Sequence, residues 1–433
     1  MHRVVITGMG LITPLGIGVD ATFDVLQNGQ CGLALGTARD TLGAHFWTTH
    51  YGPVRGFEPE KYIEDRRSIR KTTRSIHLAV SAATLALQDS KWQLQDSDHT
   101  SHAGSGVIIG MGTEESSSEF NAVLEASLDD AKAFSYKLCG SVGAARCPPL
   151  YILPRLPNTA AGQIAILHKI KGINFSIVNN SNGGSVAIGE AYRAIRRGQA
   201  SMVVAGGCNS PMGALSAYRG SLFEKGFDLT DRGSTPFSSD RKGYIPSEGA
   251  AMVVLESEES ARQRGAHIYA ELVSCSNLFN PRAGESLETE TDAYVRLITK
   301  ALAAADVEPG AISAISASGI GLPLNDAAES MAIRRAFAKS ADALPVSATK
   351  SQTGYLETAS GALELCVSAL AVKRGVVPPT IRWQGGDSRC DLDYVTSGAR
   401  TQDLERVLSL SFDLKGTMCG QIVARHSGST GTP

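Results

Sequence analysis

The sequence predicts an α/β protein, and three observations carry that prediction. Short β-rich runs alternate with amphipathic or alanine-rich segments along all 433 residues. Glycine supplies 45 residues, above the usual ~7%, which implies many tight turns and close backbone contacts. The length exceeds a typical single domain, so two domains or one fused double unit are expected. In chain order, the β-branched and apolar runs at Arg3–Thr7, Gly106–Ile109, Phe175–Val178, Met202–Ala205, Ala251–Leu255 and His267–Val273 read as strands. The segments Thr73–Asp89, Ala161–Lys169, Gly184–Gly198, Asp292–Ala305, Asp326–Phe337 and Ser360–Arg374 read as helices between them. Several parallel or mixed sheets, buried by helices, are the expected outcome. The charged stretch Glu256–Arg264 reads as the midpoint junction, and the small, polar residues 427–433 as a frayed end.

Composition narrows the function classes. The net charge of −2 gives no electrostatic argument for nucleic acid or an anionic membrane. Aromatics at 6% are too sparse for a base-stacking platform. The eight cysteines (31, 139, 147, 208, 275, 366, 390 and 419) are scattered without metal-site spacing, so no metal site is expected and most read as buried, inert thiols of a reducing compartment. The opening MHRVVITGMG is strand-like, with no signal-peptide pattern, and no run approaches a ~20-residue membrane span. A cytoplasmic location is the expectation. Gly8-Met9-Gly10 lacks the spacing of a dinucleotide loop and reads as a turn. The basic run Arg66, Arg67, Arg70, Lys71 and Arg74 reads either as a solvated helix start or as a docking patch for an acidic partner.

A family pattern then runs along nearly the whole chain. Val4-Val5-Ile6-Thr7-Gly8-Met9-Gly10 with Thr13-Pro14-Leu15-Gly16 resembles the opening of β-ketoacyl-acyl-carrier-protein synthases of the ketosynthase II type. The resemblance continues through Gly52–Glu58, Arg74–Ser90, Pro157–Ser176, Ala187–Gly207, Thr235–Leu255, Ala317–Glu329, Val346–Leu365 and Ser411–Thr417. It implies a thiolase-like, five-layered αβαβα fold of two similar halves, 1–257 and 258–433. It also implies a dimer with the acyl tunnel near the interface, and an acyl chain carried on the phosphopantetheine arm of an acyl carrier protein, with no other cofactor.

The family's chemical residues are where the sequence departs. Its nucleophile elbow centres on Thr-Ala-Cys-Ser-Ser; here the segment reads Asn179-Asn180-Ser181-Asn182-Gly183, with Ser181 at the cysteine position. Its first histidine motif, Asn-Ala-His-Gly-Thr, reads Ser316-Ala317-Ser318-Gly319-Ile320. Its Lys-Ser-x-x-Gly-His reads Lys350-Ser351-Gln352-Thr353-Gly354-Tyr355, and its Phe-Gly-Phe-Gly-Gly loop reads Phe412-Asp413-Leu414-Lys415-Gly416. A helix N-terminus can help to ionise a thiol but not a serine hydroxyl, which needs a positioned base. Neither Ser318 nor Tyr355 supplies imidazole chemistry to a developing enolate. His168, nearest to the elbow in sequence, reads as structural. Lys350 reads either as a catalytic relic or as the partner of Glu329 or Glu364.

Condensation by this chain alone is therefore not expected. The signature is similar to that of chain-length factors, which keep the fold, lose the cysteine and pair with a catalytic ketosynthase in type II polyketide or polyene pathways. In that reading Ser117, Phe120, Ala122 and Leu124 are candidates for the tunnel wall at the interface, and the basic run is a candidate carrier-docking surface. An acyltransferase or offloading enzyme that uses Ser181, and a silent homodimer, remain the alternatives.

Overall fold

The computed structural model describes residues 1–34, 50–92, 104–112, 118–147, 151, 155–210, 234–386 and 388–428, with the backbone alone for 118–121. The strands of the first half are β1 (Val4–Thr13), β2 (Gly16–Ile17), β3 (Ser105–Met111), β4 (Asn174–Ile177), β5 (Met202–Asn209) and β6 (Gly249–Ser257). Those of the second are β7 (Ala270–Phe279), β8 (Ala314–Ser316), β9 (Val346–Ser347), β10 (Val376–Val377), β11 (Arg400–Thr401), β12 (Arg406–Phe412) and β13 (Thr417–Ala424). β10 and β11 form a separate ribbon, and β2 pairs only with β1.

The remaining strands repeat one topology. The first half runs β4-β3-β5-β6-β1 and the second β9-β8-β12-β13-β7. Numbered within its own half, each order is third, second, fourth, fifth, first. Directions repeat as well. β3 is parallel to β4 and β5, and β6 is antiparallel to β5 and β1. Likewise β8 is parallel to β9 and β12, and β13 is antiparallel to β12 and β7. A short antiparallel contact, Val5 to Glu271 and Ile6 to Ala270, joins the halves. The several sheets expected from sequence are thus one eleven-stranded sheet among the described residues.

Helices complete five layers. α1 (Arg74–Ser90) and α2 (Thr159–Leu167) cover the outer face of the first half. α3 (Gly183–Arg196) and α6 (Ser360–Arg374) lie between the two sheet faces, and α4 (Leu287–Ala305) and α5 (Pro323–Phe337) cover the second half. Because side chains alternate across a strand, β6 sends Ala251, Val253 and Leu255 to the central core and Ala250, Met252 and Val254 to the outer one. A strand covered on both faces reads as an unbroken apolar run, as β6 does. α6 is its helical counterpart, with every residue from Ser360 to Val372 buried.

Several expectations need correction. Gly8 and Gly10 do not form a turn; β1 continues through them to Thr13. They are small because α1 lies on them: a Cβ on Gly8 would sit 2.3 Å from the Ala86 carbonyl oxygen, and one on Gly10 1.9 Å from that of Ala82. The strand expected at His267–Val273 begins at Ala270 and ends at Phe279. α4 starts at Leu287, ahead of Asp292, because Ser286 and Thr289 form a capping box there. α5 starts at Pro323, the favoured first position for proline. All eight cysteines are free, but only Cys208, Cys366, Cys390 and Cys419 are buried. The frayed-end expectation falls mostly on 429–433, outside the described residues. No helix among the described residues is long and apolar enough to cross a membrane.

A close backbone-to-backbone contact lies where α3 meets β3. A Cβ on Gly110 would approach the Gly183 carbonyl carbon to 2.0 Å and the Gly184 nitrogen to 2.1 Å, both backbone atoms. Gly110→Ala should therefore cost at least ~2–3 kcal/mol, read as a lower denaturation midpoint.

Candidate functional site

The positions singled out in the sequence meet at the strand ends that face the central layer. β4 leads into the elbow, where Asn180 takes a left-handed φ of 40°, a conformation asparagine tolerates better than most residues. Ser181 is half-buried there, one residue ahead of Asn182, which immediately precedes α3. Gly183 and Gly184 then let the helix settle against the sheet.

The β12–β13 hairpin closes over this turn. The Asn182 amide donates to the carbonyls of Ser411, at 3.2 Å, and Thr417, at 2.6 Å. The Ser411 hydroxyl donates back to Asn182 Oδ1 at 2.5 Å, and the Thr417 hydroxyl to Asn179 Oδ1 at 2.9 Å. Lys415 Nζ donates to Asn180 Oδ1 at 3.4 Å. The consecutive asparagines thus satisfy the turn and fasten the hairpin to it. Asp413 is 5% exposed. Burial raises its pKa, opposed by the Lys415 N–H and charge, the Ser181 hydroxyl and the Leu414 N–H.

Ser318 is held on all sides by backbone work. Its N–H and that of Gly319 donate to the two Glu329 oxygens at 2.7 and 2.9 Å. Its hydroxyl accepts the Phe412 N–H at 3.1 Å, and its carbonyl accepts Lys350 Nζ at 2.6 Å. Of the two acids open to it, Lys350 takes Glu364, in a pair buried on both sides. Burial pushes the Glu364 carboxyl up to about 7, with Lys350 pulling it back. Burial also raises Glu329 to about 8 and Asp326 to about 6. Asp326 accepts the N–H groups of Phe237 and Gly321. These carboxylates organise loops.

Tyr355 fills space. Its ring, 3% exposed, packs 4.6 Å from that of Tyr244, and Ile320, Leu322 and Leu414 complete the cluster. Three of the altered motifs therefore contribute to one apolar plug, with Lys350 Nζ 5.8 Å from the Tyr355 ring centre. His168 lies away from this group: it meets the Thr84 hydroxyl at 2.9 Å, and burial lowers its pKa to about 4.

The other candidates fare unevenly. Ser117 and the Phe120 side chain lie outside the described residues. Ala122 and Leu124 are exposed on the helix Ser118–Glu125. In the basic run Arg66, Arg67, Arg70, Lys71 and Arg74 are all exposed, and Arg74 is also paired with Glu248 at 2.6 Å. Among the described residues no cluster could hold a metal ion. Sequence reading missed the facing of Asp413 and Ser181, whose only signal was two charges in an otherwise glycine-rich loop. It also missed the Asn209 amide donating to Glu357 at 2.8 Å beside the elbow, where Glu357 has a left-handed φ of 42°.

Comparison with known proteins places this geometry. The model of the β-ketoacyl synthase N-terminal domain matches residues 1–261, and that of the C-terminal domain residues 269–384. The 3-oxoacyl-acyl-carrier-protein synthase 2 of Rhizobium meliloti is 34% identical over 456 aligned positions, covering 99% of this chain and all of that one. Its counterpart in Coxiella burnetii is 32% identical, covering 98% of this chain and 99% of that one. Among solved structures, the ishigamide ketosynthase/chain length factor matches with a TM-score of 0.83 at 27% identity. A type II PKS acyl-carrier protein in complex with its ketosynthase bound to the hexaketide matches at 0.80 and 28%. Each covers 98% of this chain, and this chain covers all of each.

Buried titratable groups in and away from the site set two expected outcomes. Lys350→Met should cost ~3–5 kcal/mol, because Glu364 is left buried and unpaired, and Lys350→Met with Glu364→Leu should recover most of it; denaturant titration of both variants checks this. His168 stays neutral in the fold while the unfolded chain protonates from pH 6.5 downward. Stability should therefore fall by up to ~3 kcal/mol as pH drops from 6.5 to 4, and His168→Gln should remove that slope.

Proposed function

The chain belongs to the β-ketoacyl synthase family, and from that premise we propose that it is a non-condensing subunit: a chain-length factor that pairs with a catalytic ketosynthase and shapes its acyl tunnel during type II polyketide or polyene elongation. The observation that carries the reading is an intact fold around a dismantled centre. Ser181 has no imidazole beside it among the described residues, Ser318 is consumed by backbone hydrogen bonds, and Tyr355 belongs to an apolar plug. A thiolate nucleophile and two histidines have been replaced by groups that hold structure. Lys350 is explained by Glu364 without any chemistry.

An uncovered surface supports a partner. β4 is an edge strand, and its exposed residues include Phe175 at 41%. Beside it α2, TAAGQIAIL, is apolar nearly all round, yet Ile166 is 75% exposed. All the exposed large apolar side chains of the described residues, except Met1 and Phe279, fall between positions 124 and 178. An edge strand flanked by such residues calls for a covering chain. The protomer it suits best is a ketosynthase paralogue, which would bring the missing cysteine. Arg66, Arg67, Arg70 and Lys71 suit an acidic carrier protein, in keeping with the neighbour solved as a ketosynthase with its carrier.

Native mass spectrometry of the tagged chain from its own cells tests the reading. A one-to-one complex with a cysteine-bearing ketosynthase is expected, and Phe175→Arg should weaken it at least tenfold. A homodimer carrying an acyl adduct on Ser181 would overturn the reading in favour of a serine acyltransferase.

A further inference from the structure

The altered loop between β12 and β13 carries two opposite charges, Asp413 and Lys415, where the family's pattern has glycines. The hairpin orients them differently. Lys415 is largely exposed and reaches only the Asn180 side chain, at 3.4 Å. Asp413 is turned inward and fixed: its N–H donates to the Thr417 carbonyl at 2.9 Å, and the Gly416 N–H donates to its carbonyl at 3.0 Å. The Asn182 amide pins both sides of the hairpin to the elbow. The backbone that carries the carboxyl is therefore held against the elbow that carries Ser181.

The surroundings act on the carboxyl in opposite directions, burial raising its pKa and nearby donors opposing that. The N–H groups of Leu414 and Lys415 and the Ser181 hydroxyl all favour its charged form. The elbow lies at the amino end of a 14-residue helix, a position that attracts negative charge. Asp413 Oδ2 is also buried with no hydrogen-bond partner among the described residues, so its charge is not offset by a bonded donor.

Acyl transfer and decarboxylation each bring an anion to such a place, either a malonyl carboxylate or the oxyanion of a tetrahedral intermediate. We infer that Asp413 is a specificity-determining residue: an internal carboxylate that sets an uncompensated negative charge beside the elbow and excludes anionic substrate groups, malonyl above all, while neutral acyl groups are tolerated. The inference deepens the reading of a non-condensing subunit by naming what keeps the malonyl unit out. It does not depend on which partner the chain takes.

A thiol reporter tests it. The Ser181→Cys protein is alkylated in parallel with neutral iodoacetamide and anionic iodoacetate, and adducts at position 181 are counted by peptide mass spectrometry, apart from those on Cys31 and Cys147. The ratio of the two rates cancels the thiolate fraction and reports charge selectivity alone. With Asp413 present, the iodoacetamide-to-iodoacetate ratio should exceed that of glutathione about tenfold or more. Adding Asp413→Asn should return it to within about twofold of glutathione. A ratio equal to that of glutathione in Ser181→Cys, or one unmoved by Asp413→Asn, overturns the inference. Should Ser181→Cys not fold, ligand-observed NMR on the unsubstituted chain and on Asp413→Asn decides the matter. Malonyl-pantetheine binding should rise at least fivefold in Asp413→Asn with acetyl-pantetheine unchanged; no selective rise overturns it. Neither readout needs the ketosynthase, so its failure leaves the heterodimer test standing.

Discussion

The double fold depends on how closely two backbones can approach at the centre of the molecule. Helix α3 has to serve the sheet of its own half and the segment that leads into α6 of the other half. Gly110 on β3, Gly183 and Gly184 at the helix start, and Gly207 on β5 make that approach possible. A Cβ on Gly184 or Gly207 would fall 2.4 or 2.3 Å from the Thr358 carbonyl oxygen, which belongs to the second half. The Thr358 hydroxyl then donates to the Asn180 carbonyl at 3.1 Å. Side chains at these positions would wedge the halves apart. The place of Ser181 is thus a by-product of how the halves dock, and it survives whether or not the residue there reacts.

The same docking explains why the centre holds so many charges. Lys350, Glu364, Glu329, Asp326 and Arg241 are all buried. Glu329 and Asp326 each receive two backbone N–H groups from loops that contain left-handed glycines, Gly319 at φ 44° and Gly321 at φ 85°. Such loops have no ladder to satisfy their donors, and a carboxylate is the compact acceptor that does so. Removing a single member strands its partner in a medium where an unpaired charge is costly.

How much of this was legible in the sequence depended on whether a feature was local. The strand and helix runs were legible because their periodicity is a property of neighbouring residues; α6 was read to the residue as Ser360–Arg374. Gly8 and Gly10 were misread because a glycine after a short strand and one beneath a crossing helix look the same in a string of letters. The helix starts at Leu287 and Pro323 were placed too late because capping residues, not apolar ones, define them. The site positions were legible one by one, since each altered motif keeps its frame. Their mutual arrangement was not.

By itself the sequence determined the fold class, the family pattern and the residues that stand where that pattern has a cysteine and two histidines, Ser181, Ser318 and Tyr355, because the identity of a side chain needs no neighbour to establish it. Tertiary structure alone decided that Lys350 takes Glu364 and not Glu329, that Ser318 is absorbed by backbone, and that Tyr355, Ile320 and Leu414 close into one cluster. It alone brought Asp413, from the hairpin of the second half, to face Ser181 in the elbow of the first. The physical reason is that these contacts join residues whose separation along the chain carries no information about distance. Only the packing of two similar halves against one shared helical layer sets that distance.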